Sequence, residues 1–126
     1  MAVNDIPIWE RWLTKHATEY DGFQYDVRVG RGRPAPPGFP PEFKKDIQDL
    51  TRLRIDAVGI VGPAADLIEV KQTAGASALG QILTYKELYQ DEPGARAVRQ
   101  MLIVTDNPHP DLLSAARKLN VLVETV

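Results

Sequence analysis

The sequence has no cysteine. That excludes disulfide frameworks, Cys-based zinc sites, iron–sulfur clusters and thiol nucleophiles. No apolar run approaches the ~20 residues of a membrane-spanning helix. The first residues, Met1-Ala2-Val3-Asn4-Asp5, carry neither a basic n-region nor an apolar h-region. No secretory signal is therefore read, and the expected location is cytoplasmic. Positive charge is not in excess: 15 Lys and Arg stand against 17 Asp and Glu, for a net −2. A non-specific basic coat for nucleic acid is excluded, but a local basic patch is not. The two histidines, His16 and His109, lack the close spacing of a transition-metal site. Gly30-Arg31-Gly32 is too short for a phosphate or dinucleotide fingerprint, and no nucleophile elbow occurs. What remains is ordinary globular composition, 44% hydrophobic and 25% charged over 126 residues. It suits a single domain, expected over 1–126, with no internal repeat.

One segment is compositionally biased. Gly30 to Pro41, reading GRGRPAPPGFPP, must be a loop, because proline removes helix and ladder donors. Before it, a helix is predicted from Asp5 to Tyr20, capped by Asn4 or Asp5. Ile6, Trp9, Trp12, Leu13, His16 and Tyr20 form its apolar stripe. Trp9, Trp12 and His16 are read as core or boundary residues. Phe23 to Val29 alternates as a strand, with Phe23, Tyr25, Val27 and Val29 on one face. A helical turn near Phe43 to Leu50 precedes strands at Arg52 to Val61 and Asp66 to Gln72. Gly62-Pro63 turns these two into an antiparallel hairpin. A helix at Ala76 to Gln90, a strand at Val98 to Thr105, a helix at Pro110 to Leu119 and a strand at Val121 to Thr125 complete the chain. The order α-β-β-β-α-β-α-β predicts an α/β fold, a mixed sheet of four or five strands with helices on both faces.

Three charged residues stand out on the predicted hairpin. Asp56 lies among Ile55, Ala57 and Val58, and Glu69 and Lys71 flank Val70 on the next strand. Alternation puts Glu69 and Lys71 on one face, and pairing can bring Asp56 beside them. Buried carboxylates need a counter-charge or a metal. Their hard oxygens suit Mg²⁺ or Mn²⁺, and Lys71 would offset phosphate charge or orient water. On the following helix Gln81 and Tyr85 are four apart and share a face. The small residues Ala74, Gly75, Ala76 and Ala78 let that helix approach the sheet. Gln81 can then support a water or a phosphate. Tyr85 is open between that role and simple packing.

The pattern Asp56…Glu69-x-Lys71, followed by Gln81-x-x-x-Tyr85, resembles the PD-(D/E)XK nuclease superfamily and its RecB-like branch. The resemblance covers about Asp5 to Thr105. It implies a restriction-endonuclease-like fold and Mg²⁺-dependent hydrolysis of DNA phosphodiester bonds, with RNA left open. By the same resemblance Asp56, Glu69 and the Val70 carbonyl are metal ligands, Lys71 is the catalytic lysine and Gln81 assists. Many relatives add an acidic residue from the first helix, and Glu10 and Glu19 are the candidates here.

The basic residues Arg28, Arg31, Arg33, Lys44, Lys45, Arg52 and Arg54 surround the proline loop, against Glu42, Asp46 and Asp49. They would contact phosphates, or form a solvated loop. No sequence-reading module is present, so cleavage is expected to be structure-selective or weakly sequence-specific. A homodimer, or a partner subunit supplying specificity, fits that reading. The alternative is a nuclease-like scaffold that binds nucleic acid or a protein through the basic proline-rich loop without cutting.

Overall fold

The computed structural model describes all 126 residues. Its elements in chain order are α1 (Ile6–His16), β1 (Gly22–Val29), α2 (Pro41–Leu50), β2 (Leu53–Val61) and β3 (Ala64–Ala74). They continue as α3 (Ala76–Gln90), β4 (Ala97–Pro108), α4 (Pro110–Lys118) and β5 (Val121–Thr125). The five strands form one mixed sheet in the order β1-β2-β3-β4-β5. β1, β2 and β3 pair antiparallel, whereas β3, β4 and β5 pair parallel. Parallel neighbours need a crossover, and α3 and α4 supply the two. Gly62 sits at φ +54 between the paired residues Val61 and Ala64, the backbone a two-residue hairpin turn requires.

The sheet is covered on both faces. Between α3, α4 and the sheet pack Ile55, Val58, Leu67, Ile82, Ile103 and Leu112. Between α1 and the other face pack Ile8, Trp9, Trp12, Ile68, Val70, Leu102 and Val104. Trp9 and Trp12 stack with centroids 5.0 Å apart, and Phe23 meets Trp9 edge-on at 5.2 Å. Trp12 Nε1 donates to Glu124 at 2.6 Å, which ties α1 to β5. Truncating a buried tryptophan of this kind costs about 3–5 kcal/mol. Tyr20 lies against Gly59, where an added Cβ would come within 2.5 Å of the ring.

Four details differ from the sequence pattern. First, α1 ends at His16, and single 3₁₀ turns at Val3–Asp5 and Ala17–Glu19 flank it. Its inward face is Ile8, Trp9 and Trp12, and Ile6 is exposed. Second, neither Asn4 nor Asp5 caps α1 through its side chain. Third, β1 does not keep one face. Phe23 and Tyr25 meet Trp9 under α1, whereas Val27 and Val29 pack beneath α3. Asp26 between them has φ +50, and this left-handed residue rotates the strand. Fourth, the stretch after the proline loop is a full helix, α2, with no buried residue. Its first turn begins at Pro41, where a missing N–H costs nothing.

The proline loop is pinned at its first residues. Arg52 donates to the Gly30 carbonyl at 2.7 Å and pairs with Glu92. Gln48 donates to the Arg31 carbonyl at 2.9 Å. Gly32 faces the Gln48 carbonyl so closely, at φ +72, that a Cβ would lie 2.1 Å from that oxygen. Arg52 is thus committed to the fold rather than free to meet a phosphate. No helix is long and apolar enough to cross a membrane.

Candidate active site

β2 and β3 pair from Val61↔Ala64 to Ala57↔Ile68 and then part. Asp56 is the first β2 residue beyond the last pair, and Glu69 is its counterpart on β3. The two carboxylates therefore meet at the mouth of a fork. Asp56 leans across it and accepts the Val70 N–H at 2.8 Å through Oδ2. A strand residue turns its N–H and C=O to the same edge. The Val70 carbonyl accordingly faces the same gap.

Glu69 is only 3% exposed, and its Oε2 is buried with no hydrogen-bond partner. Burial pushes its carboxyl up to about 9, aided by the hydrogen bond and negative charge of Asp56. The ammonium of Lys71 pulls the other way, and Asp5 adds a smaller upward push. One proton is therefore held in the Asp56–Glu69 pair at neutral pH. Lys71 enters no salt bridge, so its charge near Glu69 is uncommitted.

Tyr85 reaches the same region from α3. It is buried, and burial together with the Glu69 and Asp56 charges pushes its hydroxyl up to about 12. It stays a hydrogen-bond donor throughout the physiological range. Gln81, one turn earlier, lines with Tyr85, Ser77 and Leu53 a cleft of about 350 Å³. The Gln81 Oε1 is the second buried side-chain acceptor that lacks a partner. No hydrogen bond joins Gln81 to Asp56, Glu69 or Lys71. The structure thus groups Asp56, Glu69, Lys71 and Tyr85, and sets Gln81 in the adjoining cleft.

Two further carboxylates border the fork that the sequence pattern did not single out. Asp5 is buried and accepts the Gln72 N–H at 2.8 Å, one residue past Lys71. Its sequence position reads as a helix cap, which hides this role. Asp26 lies opposite Asp56 on β1, and the Met1 amino group contacts both carboxylates. Only a positive-φ Asp inside a strand pattern could have marked it, and φ is not legible in sequence. Of the two acids expected from the first helix, Glu19 contacts His16, and Glu10 is exposed in a depression shared with Met1 and Asp26 at the border of the fork. No hydrogen bond or ion pair joins either of them to Asp56, Glu69 or Lys71.

The donor set fits a hard divalent cation. Two carboxylates and a carbonyl converge, and one buried carboxylate oxygen has no donor. No group of three or more His, Asp or Glu side chains is clustered tightly enough to hold a metal unaided. Mg²⁺ sites commonly use one or two carboxylates, with water and substrate phosphate filling the rest. No protein-family model, curated protein or solved structure matches the chain.

Proposed function

We infer that the chain is a metal-dependent nuclease of restriction-endonuclease-like fold, hydrolysing DNA phosphodiester bonds at the β2–β3 fork. The observation that carries this reading is the orphaned, buried Glu69 Oε2 beside Asp56, with an unpaired Lys71 two residues on. Most buried side-chain polar atoms have at least one hydrogen-bond partner, and this oxygen has none. The strand order and the α3 crossover agree with the same reading.

Asp56, Glu69 and the Val70 carbonyl would hold a divalent cation, which would supply charge neutralisation at the phosphate. The Asp56–Glu69 pair would release its shared proton to solvent in holding it. Lys71 orients the attacking water for in-line displacement and offsets negative charge on the phosphate. The Gln81 amide in the adjoining cleft steadies the water or the scissile phosphate. The Tyr85 hydroxyl stays protonated beside the same acidic centre.

The test is cleavage of supercoiled plasmid, linear duplex, single-stranded and branched DNA with Mg²⁺ or Mn²⁺, with Lys71→Ala alongside. Metal-dependent cleavage lost in the variant supports the nuclease. A folded wild-type protein that cuts none of them leaves the non-cutting scaffold as the better account.

A further inference from the structure

On the α1 face of the sheet, α1 and Tyr20 cover Phe23, Ala57 and Gly59, so of the β1–β2 ladder the Arg28–Arg54 end and part of Tyr25 are left open. Arg28 sits between Val27 and Val29, which pack beneath α3, and so projects from the open face. Arg54 neighbours the buried Ile55 and is paired directly with Arg28 across the ladder. Like charges placed opposite each other on a sheet are destabilising. Here no carboxylate compensates them, because neither arginine enters a salt bridge. Both are exposed. The arrangement calls for an anion from outside the chain.

The pair stands two residues along each strand from Asp26 and Asp56. At about 3.3 Å per residue that is roughly 6.6 Å, commensurate with one nucleotide step. On the other side of Asp26, Tyr25 is 50% exposed on the same face. Its ring rests edge-on against Trp9, 5.8 Å between centroids, and its hydroxyl accepts from Trp9 Nε1 at 3.2 Å. The ring is therefore held rigid. With Met1, Ile6, Trp9, Glu10, Leu13 and Asp26 it borders a shallow depression of about 410 Å³. Basic phosphate contacts interleaved with a fixed aromatic platform are how proteins hold unpaired nucleic acid strands.

We propose that the open end of the β1–β2 ladder binds a single-stranded DNA segment, with Arg28 and Arg54 clamping one phosphate and Tyr25 stacking an unpaired base. The strand runs along β1 past the Asp26–Asp56 pair and the Met1 amino group that lie between those two contacts. That the bound strand is also the cleaved one rests on the nuclease reading above; the binding itself does not.

Fluorescence anisotropy of a labelled mixed-sequence oligodeoxynucleotide, in EDTA to stop hydrolysis, tests this. The single strand and its duplex are compared on wild type, Arg28→Ala/Arg54→Ala, Arg28→Lys/Arg54→Lys and Tyr25→Ala. Wild type is expected to prefer the single strand. The double alanine variant should bind at least about tenfold more weakly, and its salt slope should fall by roughly 0.7 for the one phosphate no longer neutralised. The double lysine variant should recover that slope. Tyr25→Ala should weaken binding about tenfold with the slope unchanged. The double alanine variant should melt no lower than wild type, because it relieves like-charge repulsion. Unchanged affinity in that variant, equal binding of duplex, or no binding by folded wild type would each overturn the proposal. Cleavage with Mg²⁺ but no role for the arginines sinks only this inference. Arginine-dependent binding without cleavage sinks only the nuclease.

Discussion

Two buried carboxylates, Asp66 and Glu69, lie three residues apart on β3 and are treated in opposite ways. Asp66 is 0% exposed and fully answered. It accepts from Tyr20 at 2.6 Å, from Arg99 at 2.9 and 2.6 Å, and from Gln100 at 2.7 Å. Glu69 has a second carboxylate as its hydrogen-bond neighbour and one oxygen with nothing. Both groups were desolvated by folding, yet only one was compensated from within the chain. The first is a rivet at the point where the β3–β4 register shifts, between Ala65 and Asp66. The second holds a vacancy for positive charge, and the sheet opens beside it. Burial of an acid is therefore not the sign of a site here. Incomplete satisfaction is.

The sharpest way to break the contrast is to neutralise each acid. Glu69→Gln, Asp56→Asn and Lys71→Ala should each lower metal-dependent cleavage by roughly 10²–10³-fold or more, as loss of a transition-state contact does. Their thermal melts should stay near wild type, Glu69→Gln included, since its amide takes the place of the proton already shared with Asp56. Asp66→Asn should keep cleavage. A cleaving Glu69→Gln would end the distinction between the two acids. Next in size is stability. Asp66→Ala leaves Tyr20, Arg99 and Gln100 without their acceptor and should cost about 3 kcal/mol in urea unfolding. Arg99 is partly exposed and can rehydrate, which favours the low end of that range. An Asp66→Ala protein as stable as wild type would show that the network is ornament.

A smaller effect separates the acids by pH. The Glu69 carboxyl is raised in the folded state, from an ordinary 4.5 to about 9, because burial and Asp56 disfavour its charge. Between those values the folded state holds more protons than the unfolded one, so stability falls as pH rises. The contribution is whole below the ordinary glutamate range and is lost as pH climbs toward about 9. The slope is at most about 1.4 kcal/mol per pH unit. Urea melts at about pH 6, 7 and 8 should show this decline in wild type and Asp66→Asn, and a flatter profile in Glu69→Gln. Parallel profiles in all three would remove Glu69 as its source.

The sequence revealed the scaffold more readily than the site's edges. Alternation, the Gly62-Pro63 turn and the α3 and α4 patterns are local signals, and the sheet follows from them. Asp56, Glu69 and Lys71 were legible because charge in an apolar strand is conspicuous at any register. Asp26 was not, since its effect depends on a positive φ that turns β1 from one face to the other. Asp5 was not, because its partner, the Gln72 N–H, is far away in sequence and its own position imitates a cap. The full length of α2 escaped because its apolar residues Phe43 and Leu50 bury nothing. Asp66 carried no signal either. Its satisfaction comes from Tyr20 and Arg99, which only the folded sheet brings to it.

The smallest expected effect bears most directly on the vacancy itself. A cation that binds only the folded chain stabilises it by RT ln(1 + [L]/Kd), about 1 kcal/mol at five times Kd. If Glu69 and Asp56 are left incomplete for a divalent cation, Mg²⁺ or Mn²⁺ should raise the melt of wild type by that order. The rise should grow with pH, because the cation displaces the proton held between the two acids. Asp66→Asn should gain as much as wild type, from a lower starting melt. Glu69→Gln should gain little, having lost the charge that the cation answers. Ionic strength matched with Na⁺ separates site binding from general screening, which would lift every variant alike. An equal gain in Glu69→Gln and wild type would place the cation elsewhere and leave Glu69 buried, protonated and idle.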